Sequence, residues 1–168
     1  MKSAEQEIVV SRKGTFKRDY DFLLNDRVIA NLNCLKGFGR KAVVKIGDKG
    51  WTFQKKGFWK QFIEVLPNQS PYEKKTFELN WHHSGKFEGP DRKFYQFRRI
   101  SWWKGTWSWQ DDRKNSLVEF KSCSFSRKRK GIIRFTSPLN DELLCMIVFG
   151  WFMLVLYEEA AAAVAAAA

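Results

Sequence analysis

Fifteen consecutive residues without a charge, Leu143 to Tyr157 (LLCMIVFGWFMLVLY), constrain this 168-residue chain more than any other stretch. A helix that is apolar on every side must be surrounded, either by lipid or by protein. A membrane span needs about 20 apolar residues to cross roughly 30 Å of hydrocarbon. This run supplies only about 22 Å of helix, and Glu158-Glu159 closes it. Extending the span through the alanine tail, Ala160 to Ala168, would place both glutamates in lipid, which costs several kcal/mol. The shortness of the run and the glutamates favour a helix enclosed by its own protein. A tail anchor carrying a small cytoplasmic β domain is the alternative.

The residues before the run carry helix-start signals. Ser137 can cap, Pro138 suits the first helical position, and Asp141 with Glu142 places negative charge in the first turn. The central helix is therefore expected over about 138–158, and the alanine tail at 160–168 is permissive for its extension.

From about residue 7 to 136 the chain reads as twelve short strands rich in Val, Ile, Thr, Phe and Trp. They are expected at Ile8–Ser11, Asp19–Leu24, Val28–Leu35, Lys41–Ile46, Gly50–Lys55 and Trp59–Leu66. The series continues with Tyr72–Asn80, Lys86–Glu88, Lys93–Arg98, Ser101–Gln110, Ser116–Ser122 and Gly131–Thr136. Turn formers such as Asn25-Asp26, Gly47-Asp48, Pro67-Asn68-Gln69 and Asp111-Asp112 separate them. Strand edges must be paired or protected, and an all-round apolar helix must be enclosed. One architecture meets both demands: a mainly β, closed antiparallel barrel of about twelve strands around one hydrophobic C-terminal helix, as a single domain.

Within the β region, residues 51–60 (WTFQKKGFWK) align without a gap on 95–104 (YQFRRISWWK), an offset of 44 residues. Phe53 falls on Phe97, Lys55 on Arg99, Phe58-Trp59-Lys60 on Trp102-Trp103-Lys104, and Ile63 and Val65 on Trp107 and Trp109. Each copy reads as a strand, a basic turn and an aromatic strand, which is a duplicated hairpin inside one domain. The pattern predicts equivalent, buried positions for Trp59 and Trp103. Alternation along Trp103, Gly105, Trp107 and Trp109 predicts one tryptophan face packed on the helix, with a base-stacking platform as the other reading.

Twelve short strands, the strand–basic turn–aromatic strand unit and the terminal apolar helix together resemble the tubby C-terminal-like superfamily. That superfamily comprises tubby domains, phospholipid scramblases and LURP-one-related proteins, and the likeness is nearest to its small bacterial members. It is carried by Lys41-Ala42-Val43-Val44-Lys45-Ile46, by Lys56-Gly57-Phe58-Trp59-Lys60, and by Leu143 to Tyr157 with its alanine-rich tail. The resemblance spans about Ile8 to Tyr157 and implies a barrel around a buried helix. Tubby domains bind phosphoinositides, but their lipid-contacting residues match no positions here. The scramblase cysteine cluster and acidic calcium segment find no counterpart either, so the resemblance implies the fold rather than either activity.

The chemistry-bearing residues point away from an enzyme. No nucleophile elbow, phosphate-binding loop, dinucleotide fingerprint or H-E-x-x-H zinc motif occurs. His82 and His83 are adjacent, so on a regular strand they would face opposite sides and could not chelate together. Asp111-Asp112 reads as a turn. Cys34, Cys123 and Cys145 are odd in number and widely spaced, without a CxxC, so a reducing compartment is expected and no metal or cofactor. The first ten residues, MKSAEQEIVV, hold no apolar core of signal-peptide length, which points to the cytoplasm.

The net charge of +12 favours an anionic partner. Its densest clusters are Arg127-Lys128-Arg129-Lys130, the turn with Lys55, Lys56 and Lys60, and the turn with Arg98, Arg99 and Lys104. Arg12-Lys13 and Lys17-Arg18 add another. These cations are the candidate ligand-binding residues of a non-enzymatic binding module at the membrane periphery. An anionic phospholipid or membrane surface is the leading partner, at about 1 kcal/mol per surface cation. Nucleic acid, which would use the same charges through counterion release, ranks below it.

Overall fold

The computed structural model describes residues 4–14, 18–35, 41–79, 85–123 and 129–168. Twelve strands lie in one antiparallel sheet: β1 (Gln6–Arg12), β2 (Asp19–Leu24), β3 (Arg27–Cys34), β4 (Lys41–Ile46), β5 (Lys49–Lys56), β6 (Phe62–Pro67), β7 (Lys75–Glu78), β8 (Lys86–Glu88), β9 (Phe94–Ser101), β10 (Thr106–Gln110), β11 (Ser116–Ser122) and β12 (Arg129–Phe135). One helix, α1, follows at Asp141–Ala167. The sheet order is β7-β6-β5-β4-β3-β2-β1-β12-β11-β10-β9-β8. The sheet curls into a nearly closed barrel. At its seam the Lys75 ammonium reaches from β7 to the Glu88 carbonyl oxygen at 3.4 Å and lies over the Phe87 ring.

Period-two patterning decides which side of each strand faces in. On β4, Ala42, Val44 and Ile46 are buried while Lys41, Val43 and Lys45 face out. The buried side chains of the other strands join them around α1, whose residues from Leu143 to Val155 are all buried. By length and composition α1 could cross a membrane, but most of its apolar window lies inside the barrel. Phe149 sits at the centre of the aromatic core. Its ring lies 5.0 Å from Phe87, 5.2 Å from Phe53 and 5.3 Å from Phe77, centroid to centroid.

Gly150 is a point of close approach between the helix and the barrel wall. The Trp109 indole N–H donates to the Met146 carbonyl oxygen at 3.1 Å. A Cβ on Gly150 would fall 2.4 Å from the Phe120 ring and 2.7 Å from that indole nitrogen, so only glycine admits the approach.

The helix start departs from the sequence reading. Asn140, rather than Ser137, is the N-cap; its side chain accepts the Leu143 backbone N–H at 2.8 Å. Pro138 therefore lies before the helix and not at its first position. Two strands also start later than the hydrophobic pattern suggests. β6 begins at Phe62 rather than Trp59, and β10 at Thr106 rather than Ser101, because Phe58-Trp59 and Trp102-Trp103 sit in the turns. Tyr72 belongs to a short 3-10 turn at Pro71–Glu73 rather than to β7.

The duplicated hairpins pair in matching register. Phe53 opposes Val65 and Lys55 opposes Ile63 in β5–β6, as Phe97 opposes Trp109 and Arg99 opposes Trp107 in β9–β10. Strands β1, β5 and β9 begin at residues 6, 49 and 94, so the barrel is laid out as three successive four-strand units.

Candidate functional site

Antiparallel pairing throughout fixes which connections share an end of the barrel. Odd-numbered strands all run one way and even-numbered strands the other. The tips of β1–β2, β5–β6 and β9–β10 therefore lie at one end, where α1 emerges; the connections β2–β3, β4–β5, β6–β7, β8–β9 and β10–β11 lie at the other. The two ends differ in charge. Among the described residues, the connections at the first end carry Lys13, Arg18, Lys60 and Lys104 and no carboxylate. Those at the second end carry Asp26, Asp48, Glu73, Asp91, Asp111 and Asp112 against five cations, Lys74, Arg92, Lys93, Arg113 and Lys114.

The basic end is also aromatic. At the β5–β6 tip Phe58 is 86% exposed and Trp59 92%; at the β9–β10 tip Trp102 is 77% exposed and Trp103 fully so. The expectation of buried rings at Trp59 and Trp103 is thus wrong, although the two residues do occupy equivalent tips. Both doublets fall in the turns that join paired strands, past the end of the barrel wall, so neither ring of a pair reaches the core. Gly57, at φ +90°, sets the β5–β6 turn, and a side chain there would fall 2.0 Å from the Lys60 carbonyl oxygen. The sequence carries a third version of this tip: Arg12-Lys13-Gly14-Thr15-Phe16-Lys17 lies 43 residues before Lys55-Lys56-Gly57-Phe58-Trp59-Lys60. Gly14 shares the positive φ, at +78°. Residues 15–17 lie outside the described residues.

The single tryptophan face expected along β10 divides into three environments. Trp109 is sealed in the core, Trp107 is half-buried and Trp103 is in solvent, because the pairing shifts at Thr106/Trp107 and Trp103 precedes the strand. Trp107 lies parallel to Tyr157 at 4.8 Å and to Phe97 at 5.2 Å. Burial pushes the Tyr157 phenol up, so it stays neutral.

The candidate cations divide into paired and open groups. Lys56 meets Glu64 at 2.6 Å, Lys60 meets Glu78 at 3.1 Å and Lys13 meets Asp21 at 3.2 Å. Arg18 pairs with Glu159 where the helix leaves the barrel. The hydrogen bond from Lys56 holds the Glu64 carboxyl below its ordinary pKa, against a smaller opposing effect of burial. Around the β9–β10 tip no described carboxylate takes up the charge. The Arg99 guanidinium stacks 4.2 Å from the Trp102 ring centroid and 5.6 Å from that of Trp107. Arg98 bonds Gln96, and Lys104 stands at the tip. Lys55 is the last residue but one of β5, at the same end of the barrel, and Lys130 is the second residue of β12; both have contacts of their own. Arg127 and Lys128, like His82 and His83, lie outside the described residues, as does the Arg129 side chain.

Two clefts flank the Arg99–Trp102 stack. One, about 950 Å³, runs between the β9–β10 tip and the α1 tail; the other, about 820 Å³, includes Lys104, Lys121 and Glu158. At the opposite end Asp111 behaves as the turn former expected of it, accepting the backbone N–H of Arg113 and Asn115 and the Asn115 side chain. Among the described residues no group of three or more His, Cys, Asp or Glu is placed to hold a metal ion. Compared with protein-family models, curated proteins and solved structures, the chain finds no match.

Proposed function

We propose that this chain is a non-enzymatic binding module that docks the aromatic, basic end of its barrel onto anionic phospholipid membranes. The observation that carries the reading is the pair of exposed aromatic tips, Phe58-Trp59 and Trp102-Trp103, set among cations at one end of a rigid barrel. Soluble proteins rarely present such rings to water without a partner. Tryptophan favours the headgroup level of a bilayer, where its ring is half in hydrocarbon and its N–H stays wet. Cations beside it gain about 1 kcal/mol each at an anionic surface. The alanine tail of α1 emerges at the same end and adds apolar surface without charge from Ala160 onward.

The test is co-sedimentation of the full chain with vesicles of phosphatidylserine in phosphatidylcholine. Binding should depend on the anionic lipid and weaken as salt rises, because the surface charges are screened. Equal binding to pure phosphatidylcholine would remove the electrostatic part of the reading. Single-stranded nucleic acid is the competitor to include: strong competition, lost in Trp103→Ala, would favour base stacking on the exposed ring instead.

A further inference from the structure

The cleft between the α1 tail and the β9–β10 tip has two unlike walls and one pair of charged residues. Phe97, Trp107 and Tyr157 form one wall, stacked within 13° of parallel from ring to ring. Ala161, Val164 and Ala165 of the helix form the other, where small side chains leave a trough rather than a filled interface. The trough follows α1 from Ala160 to Ala168, roughly 12 Å of helix. Among the described residues, the charged side chains lining it are Arg98 and Arg99, and neither has a carboxylate partner there. At about 950 Å³ it lies at the upper end of the usual range for small-molecule sites.

We propose that this cleft binds one long-chain carboxylate, with the alkyl chain along the ring stack and the carboxylate on the Arg99 guanidinium. A ligand that covers both walls needs an apolar body, since a polar one would lose its water without gaining partners. It needs a single anionic end, because the cationic lining is confined to the neighbouring Arg98 and Arg99. The Arg99 guanidinium, placed over the Trp102 ring and donating to the Trp102 carbonyl oxygen at 3.5 Å, can meet a carboxylate through two parallel N–H···O bonds. The proposal rests on the membrane reading in taking lipid as the ligand class and in placing the site at the same barrel end.

Dodecanoate brominated at its far end tests it, because bromine quenches the tryptophan it touches. Saturable quenching of the full chain is expected. Ala161→Phe, an exposed helix position that the barrel does not need, should fill the trough and weaken binding at least roughly tenfold. Arg99→Gln should weaken it by about tenfold, the worth of a hydrogen bond to a charged group. Dodecyltrimethylammonium, with the same chain and the opposite charge, should compete at least tenfold less well than dodecanoate, for the same reason. Absence of saturable quenching, indifference to Ala161→Phe, or equal competition by the cationic amphiphile overturns the proposal. A chain that binds anionic vesicles but not dodecanoate overturns the cleft alone; dodecanoate binding without vesicle binding overturns the docking reading alone.

Discussion

In the β9–β10 hairpin, Phe97 and Trp109 are sealed against α1, whereas Trp102 and Trp103, between them in sequence, stand in water. The same holds in β5–β6, where Phe53 is buried and Phe58 and Trp59 are not. Residue type is alike in the two regions and consequence is not. Inside, each ring meets other rings and the helix, so its burial stabilises the fold. At the tip, a ring leaves that apolar surface for something else to cover. The hairpin body and the hairpin tip are thus expected to separate stability from binding.

The deepest cut is on the inside. Phe149→Ala removes a ring that touches Phe53, Phe77 and Phe87, and it should cost about 3–5 kcal/mol in a urea titration. A cost below about 1 kcal/mol would mean that the helix is not the core on which the barrel is built. Gly150→Ala is the next step down. Its methyl group cannot fit beside Phe120 and Trp109, and overpacking of this kind costs about 1–3 kcal/mol. Ser or Ala tolerated there without loss would show that Trp109 does not need its bond to the Met146 carbonyl.

Between body and tip lies Glu64, held by Lys56 and Lys74. Its folded pKa is lowered, first by the hydrogen bond from Lys56, so its contribution is fully present above the ordinary value of 4.5 and is lost as pH falls through the folded value. Thermal melts from pH 6 to pH 3 should therefore decline less steeply for Glu64→Gln than for the native chain. Parallel declines would show that the ion pair does not couple to folding. The smallest stability effect belongs to the tips. Trp59→Ala and Trp103→Ala should each move stability by no more than about 0.5 kcal/mol, because both rings are solvated. A larger loss would place those rings in the folded core after all.

Much of the barrel was legible because hydrophobic alternation and turn residues report on burial one strand at a time. The β4 segment Lys41–Ile46, with its alternating inward Ala42, Val44 and Ile46, is the plainest case. The apolar run from Leu143 demanded an enclosure, and the nearly closed sheet is what twelve strands build around it. The site was less legible. Hydrophobic residue types argue for burial only as long as their spacing allows it, and the doublets Phe58-Trp59 and Trp102-Trp103 break the period-two rule. That break, rather than the count of basic residues, marks the exposed tips. Lys56, Lys60 and Arg18 lie in basic clusters yet are taken up by Glu64, Glu78 and Glu159, which strand pairing and the helix exit bring beside them. The ring wall of Phe97, Trp107 and Tyr157 likewise needs the helix threaded through the barrel to exist.

The most direct test of the docking surface asks whether the tip tryptophans enter a bilayer. Vesicles containing phosphatidylserine and a phospholipid brominated high on its acyl chains should quench the fluorescence of the full chain. The variant with Trp59, Trp102 and Trp103 all replaced by Phe, which keeps the core tryptophans, should lose most of that quenching; the native chain, this variant and the vesicle without anionic lipid are measured side by side. Equal quenching of the native chain and the triple variant, or none of either at low salt, would contradict the claim that this end of the barrel meets the membrane.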